Sequence, residues 1–273
     1  MRTIFTNTQA GLFALFISFG FISNSCAQNQ NQNQDQEMVP EDTEFYEPEV
    51  VKVDSGDDIF IDAPDDAIIL FDGTNFDQWE SVQGGAVPWE IEEDGAMTVV
   101  QRTGNIQTKQ SFGDVQLYIE WRSPMNMEHE KQNRGNSGVF FQKTYELQVL
   151  DAWENPTYVN GMAGSIYKQT APLVNPAKRS GEWQSYNISF KAPRFNEDGS
   201  LNKPARITVI WNGVVVQNNT EIYGNTPYIG YPEYNAHGDG QIMLQDHNSR
   251  VSFRNIWIRP LDQEQFSIKD YMD

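Results

Sequence analysis

From Tyr145 to Asp151 the chain reads Tyr-Glu-Leu-Gln-Val-Leu-Asp. Strand side chains alternate, so Glu146 and Gln148 share one face and Leu147 and Val149 the other. The polar face then offers a carboxylate and an amide that can both hold a sugar hydroxyl. Asp151 is one residue out of phase with Glu146. It joins that face only if a bulge re-aims it, a device common beside active sites. Taken alone, the strand is better read as half-exposed with solvated polar residues, so any chemistry must be supported from the rest of the chain.

Other chemistries are quickly pruned. The sequence has one cysteine and three histidines. Cys26 lies in an export segment, which removes a thiol nucleophile. His129, His237 and His247 are far apart and not in metal-ligand spacing. No Gly-rich phosphate loop opens a helix. A divalent cation held by oxygen ligands stays open, although no cation-loop signature is present. Carboxylate chemistry survives, with Glu120, Glu146 and Asp151 as candidates and Asp246 as a weaker one. Three polar sets lie in phase on otherwise apolar strands: Tyr118, Glu120 and Arg122; Glu146 and Gln148; Gln245 and His247. In a two-sheet sandwich one face of each sheet packs inward and the other is open. Were one sheet curved, these sets would converge in a groove suited to a carbohydrate, with polar groups for the hydroxyls and aromatic rings for the C–H faces.

The elements around them read as β throughout. Val115, Leu117, Ile119 and Trp121 alternate with Gln116, Tyr118, Glu120 and Arg122, which predicts a strand with one face on a core. Asp94-Gly95 and Asn212-Gly213, each between strand-like runs, predict hairpins. Further strands are expected near 67–71, 139–142, 182–191, 242–247 and 251–258. No long amphipathic helix is evident. Two irregular stretches, 125–136 and 151–177, are long loops of the kind that carry function on rigid β scaffolds. The expectation is an all-β, two-sheet sandwich over residues 67–262, its core rich in the chain's 7 Trp and 16 Phe.

The N-terminus reads differently. An apolar run from Gly11 to Ile22, followed by Ser23, Ser25 and Ala27, is expected to be a signal peptide over residues 1–27. Cleavage before Cys26 would leave a lipidated cysteine, and cleavage after Ala27 would leave a free chain. Residues 28–66 begin nearly pure in Asn and Gln and then turn acidic, with 13 acidic residues and one basic, Lys52, between Asp35 and Asp66. They are expected to be a disordered spacer, within which 49–53 and 59–61 could add a short edge strand. Residues 263–273 are expected to be a tail. The net charge of −19 and the lack of a basic patch argue against nucleic acid. A membrane is expected only through an N-terminal lipid anchor. These features predict an exported periplasmic or outer-membrane lipoprotein. They leave the oligomeric state open.

Set in order, the motifs resemble the bacterial 3-keto-disaccharide hydrolase domain. They are Leu70-Phe-Asp-Gly73 with Trp79, Leu117 to Trp121, Asn136-Ser-Gly-Val-Phe-Phe141, Tyr145 to Asp151 and Gly181-Glu-Trp183. Trp211-Asn-Gly213, Ile242 to His247 and Phe253-Arg-Asn-Ile256 complete the set, which spans nearly all of residues 67–260. The long acidic spacer departs from that pattern. The resemblance implies a concanavalin A-like jelly-roll sandwich and action on sugars oxidised at C3. Within that implication, Glu146 or His247 would serve as base or acid, with Asp151 beside them. Glu120 and Asp151 would bind hydroxyls or a cation, and Arg134, Gln148, Lys168 and Gln245 would bind and orient substrate. Two alternatives remain at this stage: an ordinary glycosidase similar to glycoside hydrolase family 16, and a non-catalytic carbohydrate-binding module.

Overall fold

A computed structural model describes residues 37–57, 60–125, 129–263 and 268. Cys26, the expected signal peptide and most of the expected C-terminal tail lie outside the described residues. Among the described residues fifteen strands follow in chain order: β1 (Ile68–Phe71), β2 (Trp79–Ser81), β3 (Glu90–Ile91), β4 (Met97–Thr98), β5 (Ile106–Phe112), β6 (Val115–Arg122), β7 (Ser137–Phe141) and β8 (Tyr145–Val149). After a long loop come β9 (Gln184–Lys191), β10 (Arg194–Phe195), β11 (Leu201–Lys203), β12 (Arg206–Trp211), β13 (Val214–Glu221), β14 (Gly240–Leu244) and β15 (Ser252–Pro260). They form an antiparallel jelly-roll sandwich, as the alternating runs predict. The larger sheet runs β13-β12-β9-β6-β15-β4-β3, with β1 also on β15, and the smaller runs β2-β5-β14-β7-β8.

The inward residues of both sheets form one core. Val115, Leu117, Ile119 and Trp121 of β6 and Tyr186, Ile188 and Phe190 of β9 face Tyr145, Leu147 and Val149 of β8. Phe141 and Phe190 stack across the sheets at 4.5 Å between ring centres, a separation at which aromatic pairs attract beyond simple burial. Tyr186 is fully buried, and its hydroxyl donates to the Gln148 carbonyl at 2.9 Å. That bond pins β8 to the opposite sheet.

Both predicted hairpin turns form. Asn212 and Gly213 have positive φ, as a two-residue turn between β12 and β13 demands. The β7–β8 hairpin uses the same backbone shape without glycine: Gln142 and Lys143 take φ of 53° and 59°. The Thr144 N–H closes this turn on the Phe141 carbonyl at 3.0 Å. Its register is unbroken from Ser137–Val149 to Phe141–Tyr145. No bulge re-aims Asp151. A bulge occurs instead on β15, between Arg254 and Trp257, opposite β6.

The expected spacer differs from expectation in its C-terminal part. Residues from Met38 onward run along the sandwich. Pro40–Thr43 forms a 3-10 turn. Val53 N–H donates to the Asn175 carbonyl, and Asn175 N–H to that of Val51. Ile61 N–H donates to the Tyr118 hydroxyl, and its carbonyl accepts from Trp257 Nε1. Charge density alone suggested a solvated tether. The segment instead finds backbone partners at Val51, Val53 and Ile61, within the two stretches read as able to add an edge strand, and aromatic faces that charge did not reveal.

Candidate active site

The three polar sets do not all converge. Glu120 lies on the outer face of the larger sheet, opposite the face that carries Glu146. It is 1 % exposed. The β15 bulge brings two donors to it at once: Arg254 Nε at 2.7 Å on one oxygen and Asn255 Nδ2 at 2.8 Å on the other. Tyr118 adds a third donor at 3.1 Å. This carboxylate is fully engaged in anchoring β6 to β15, and the structure does not bring it to a shared groove.

The outer face of the smaller sheet does collect the rest. Strand pairing sets Met243, Phe140 and Glu146 in one row. In the next row Gly138 pairs with Gln148, and Gln245 N–H donates to the Gly138 carbonyl at 3.1 Å. Gly138 leaves space that the Glu146 carboxyl fills. A Cβ there would overlap Glu146 Oε1 and lie 2.8 Å from Phe140 Cε2. The Glu146 carboxyl therefore lies down over the backbone of β7.

Glu146 is 5 % exposed, and its carboxyl has no hydrogen-bond or ion-pair partner among the described residues. Burial disfavours the charged form and pushes its pKa up to about 8. Gln132 organises the neighbouring amides. It accepts from Gln148 Nε2 at 3.1 Å, and its backbone carbonyl accepts from Asn136 Nδ2 at 2.7 Å. With their nitrogens so committed, Gln148 Oε1 and Asn136 Oδ1 are buried acceptors without donors among the described residues, and Gln245 Oε1 is a third. Such orphans are rare in folded proteins and suit the hydroxyl donors of a ligand. A cavity of about 610 Å³, lined by Phe140, Thr144, Thr226 and His237, adjoins this row. Glu146 itself lines neither this cavity nor a larger cleft of about 890 Å³ bounded by Lys52, Trp153, Trp183 and Arg254.

One wall comes from the loop after β8. Tyr167 N–H donates to the Glu146 carbonyl at 3.1 Å. The Tyr158 and Tyr167 hydroxyls meet at 3.1 Å, so one proton lies between them and the other is free to reach a ligand oxygen. Burial raises the pKa of both, and the Glu146 charge adds to this. Gly161 lets the Tyr158 ring lie against the chain, where any side chain would collide with it. Lys168 is buried behind this wall. Its Nζ donates to the carbonyls of Pro40 (2.6 Å) and Tyr228 (2.8 Å).

The other expected residues have different settings. Asp151 is buried beyond β8, 3.3 Å from Arg134 Nε, and Arg134 also donates to the Trp153 carbonyl. Together they clamp the 130–136 loop to the 151–155 loop. His247 is exposed, two residues past Gln245, and makes no hydrogen bond to another described residue. Among the described residues no cluster of three or more His, Cys, Asp or Glu side chains could hold a metal ion. Sequence reasoning missed Gln132, Asn136, Tyr158 and Tyr167 as site residues. The only available signal was that they fall in the two irregular stretches or in the Asn-Ser-Gly motif.

The sequence profile of the 3-keto-alpha-glucoside-1,2-lyase-like domain matches residues 66–259. The crystal structure of a candidate glycosyl hydrolase from Parabacteroides distasonis is 52% identical, with a TM-score of 0.73 over 82% of this chain and 97% of that one. A second candidate glycosyl hydrolase from the same organism is 23% identical, with a TM-score of 0.53 over 72% and 94% of the two chains, and shares the fold. No curated protein matches.

Proposed function

The chain belongs to the 3-keto-alpha-glucoside-1,2-lyase-like domain family, and from that premise we propose that it cleaves the glycosidic bond of glycosides carrying a ketone at C3. The observation that carries this reading is Glu146, a buried, unpartnered carboxyl set among orphaned amide oxygens and a tyrosine pair.

A C3 ketone acidifies the proton on C2. Ionised Glu146 removes it, and the electron pair of that C–H bond moves onto the C3 oxygen as an enolate. The enolate collapses to the ketone as the C1–O bond breaks. That bond's electrons leave on the aglycone oxygen, which takes up a proton. The sugar product is an enone with a C1–C2 double bond, to which water can add. Burial makes Glu146 a stronger base than a surface carboxylate while leaving about a tenth of it ionised at pH 7. The free hydroxyl proton of the Tyr158–Tyr167 pair is the donor for the enolate oxygen. Gln148, Gln245 and Asn136 accept from sugar hydroxyls, and His247, open to solvent, supplies the proton to the leaving oxygen. Asp151 and Arg134 act by holding the loops. An ordinary glycosidase would need a second free carboxyl about 5–10 Å from the first. On this face the next position is an amide, Gln148, and Asp151 is paired with Arg134.

The test is incubation with paired glucosides, one intact and one oxidised at C3, in deuterium-enriched water. Aglycone release from the keto form alone, with deuterium exchange at C2, is expected. Cleavage of the intact glucoside would point to ordinary glycosidase chemistry, and binding without turnover to a carbohydrate-binding module. Glu146→Gln should lower kcat about 10³-fold while the protein stays folded. For wild type, kcat/KM should rise with pH through about 8, since the base must be ionised; a fall would make Glu146 the acid instead.

A further inference from the structure

The acidic segment before the family domain is joined to the Tyr158–Lys168 wall by a set of buried polar contacts. Asn160 is 0 % exposed, and both ends of its amide are committed to this segment. Its Oδ1 accepts from Phe45 N–H and its Nδ2 donates to the Thr43 carbonyl, both at 2.9 Å. Val159 N–H donates to the Phe45 carbonyl at 2.6 Å. The Tyr46 ring meets that of Tyr158 edge-on at 6.4 Å. Beside them, Lys168 Nζ is 3.6 Å from Glu44 Oε1, with the two side chains 2 % and 12 % exposed. These contacts lie outside the matched residues 66–259 on one side and within the site wall on the other.

A buried ammonium that loses its counter-charge tends to shed its proton. The groups facing Lys168 are Glu44 and Glu41 from the N-terminal segment, Tyr158 from its own loop and Tyr228 from the loop before β14. Glu44 is the nearest carboxylate. The Tyr158 and Tyr228 rings present faces to the ammonium, at 5.7 and 4.8 Å from their centres. Ring faces and backbone carbonyls favour a cation at this point, and only a carboxylate balances its charge.

We infer that residues Met38–Tyr46 form part of the active-site wall, and that Glu44 is a positioning residue that keeps Lys168 as an ammonium ion behind the Tyr158–Tyr167 pair. The ammonium fixes the Pro40 and Tyr228 carbonyls, and with them the tyrosine pair that faces Glu146. Burial lowers the Lys168 pKa and Glu44 opposes that fall. The inference rests on the proposed function for its kinetic readout, but not for its physical one.

The experiment uses the full-length mature protein and the near-isosteric Glu44→Gln, with Lys168→Met as comparison. The Lys168 side chain is titrated by NMR, and kcat and KM for a 3-keto-glucoside are measured from pH 6 to 10. Glu44→Gln should lower the Lys168 pKa by about one unit. It should leave kcat near wild type at the acid end of this range and cut it about tenfold at the alkaline end, where Lys168 deprotonates, with KM changed less than about twofold. Lys168→Met should show the same loss at every pH, and the double variant no further loss. An unmoved Lys168 titration, or wild-type kinetics in Glu44→Gln, overturns the inference and leaves the proposed function standing. Should the wild type not turn over the keto-glucoside, the proposed function falls and the titration alone decides the role of Glu44: a lowered pKa upholds it and an unchanged one ends it.

Discussion

Two glutamates on the two outer faces show how surroundings separate structure from chemistry. Glu120 receives hydrogen bonds from an arginine, an asparagine and a tyrosine. Glu146 is buried to a similar degree and receives none from the described residues. An unpartnered buried carboxyl is destabilising once ionised, so its presence points to a task. Its raised pKa also has a consequence for stability. In the unfolded chain the carboxyl ionises near 4.5, and in the fold near 8. Below 4.5 both states are protonated and the native burial is fully favourable. Between 4.5 and 8 the unfolded state releases its proton first, so stability falls as pH rises. Glu146→Gln lacks this group. Its stability relative to wild type should therefore increase from pH 5 to pH 8 in urea denaturation. A constant difference across that range would show that Glu146 titrates as an ordinary carboxyl.

At the scale of the element, the β7–β8 hairpin builds the site. A tight turn through two positive-φ residues sets the register, and the register puts Gly138 beside Gln148 and Phe140 beside Glu146. The missing side chain at Gly138 gives the Glu146 carboxyl its seat. Gly138→Ala should push that carboxyl away and lower kcat at least about tenfold, while stability in denaturant changes by about 1 kcal/mol or less. Unchanged kcat would mean that the seat is not needed. The alternation of Tyr145–Val149 was legible because a strand's period is local. The turn was harder to see, since neither Gln142 nor Lys143 is a usual turn residue. The bulge on β15 contains Asn255 at φ 45°, a left-handed conformation that asparagine tolerates. A lone Asn inside an apolar run is a weak mark, and the stacking of Trp257 on Tyr118 at 5.4 Å beside it is tertiary.

Over the whole molecule, the two sheets share one core, and the candidate site depends on it through β8, whose apolar side packs there while its polar side carries Glu146 and Gln148. Phe190 stacks on Phe141 and lies 6.0 Å from Tyr145. Phe190→Ala should cost about 3–5 kcal/mol of stability, seen as a lower urea midpoint, and the loss should be shared by both sheets. Upstream, the proposed lipoprotein form is checked by mass: a diacylglyceryl Cys26 at the mature N-terminus, against a free Gln28 if the chain is released.

The sequence by itself determined the sandwich, the hairpins at Asp94-Gly95 and Asn212-Gly213, the family, and Glu146 with Gln148 as the polar side of one strand. Those features are written in short-range patterns: alternation, turn chemistry and motif order. Only the tertiary structure decided which polar strands share a face. That depends on sheet order, and β6 and β8 fall in different sheets although their patterns look alike. It also decided that Asp151 and Arg134 form a buried ion pair, that Tyr158 and Tyr167 stand beside Glu146, and that the acidic segment reaches Lys168. Each of these is a meeting of residues distant in the chain, where the free energy comes from burial and pairing that no local window contains.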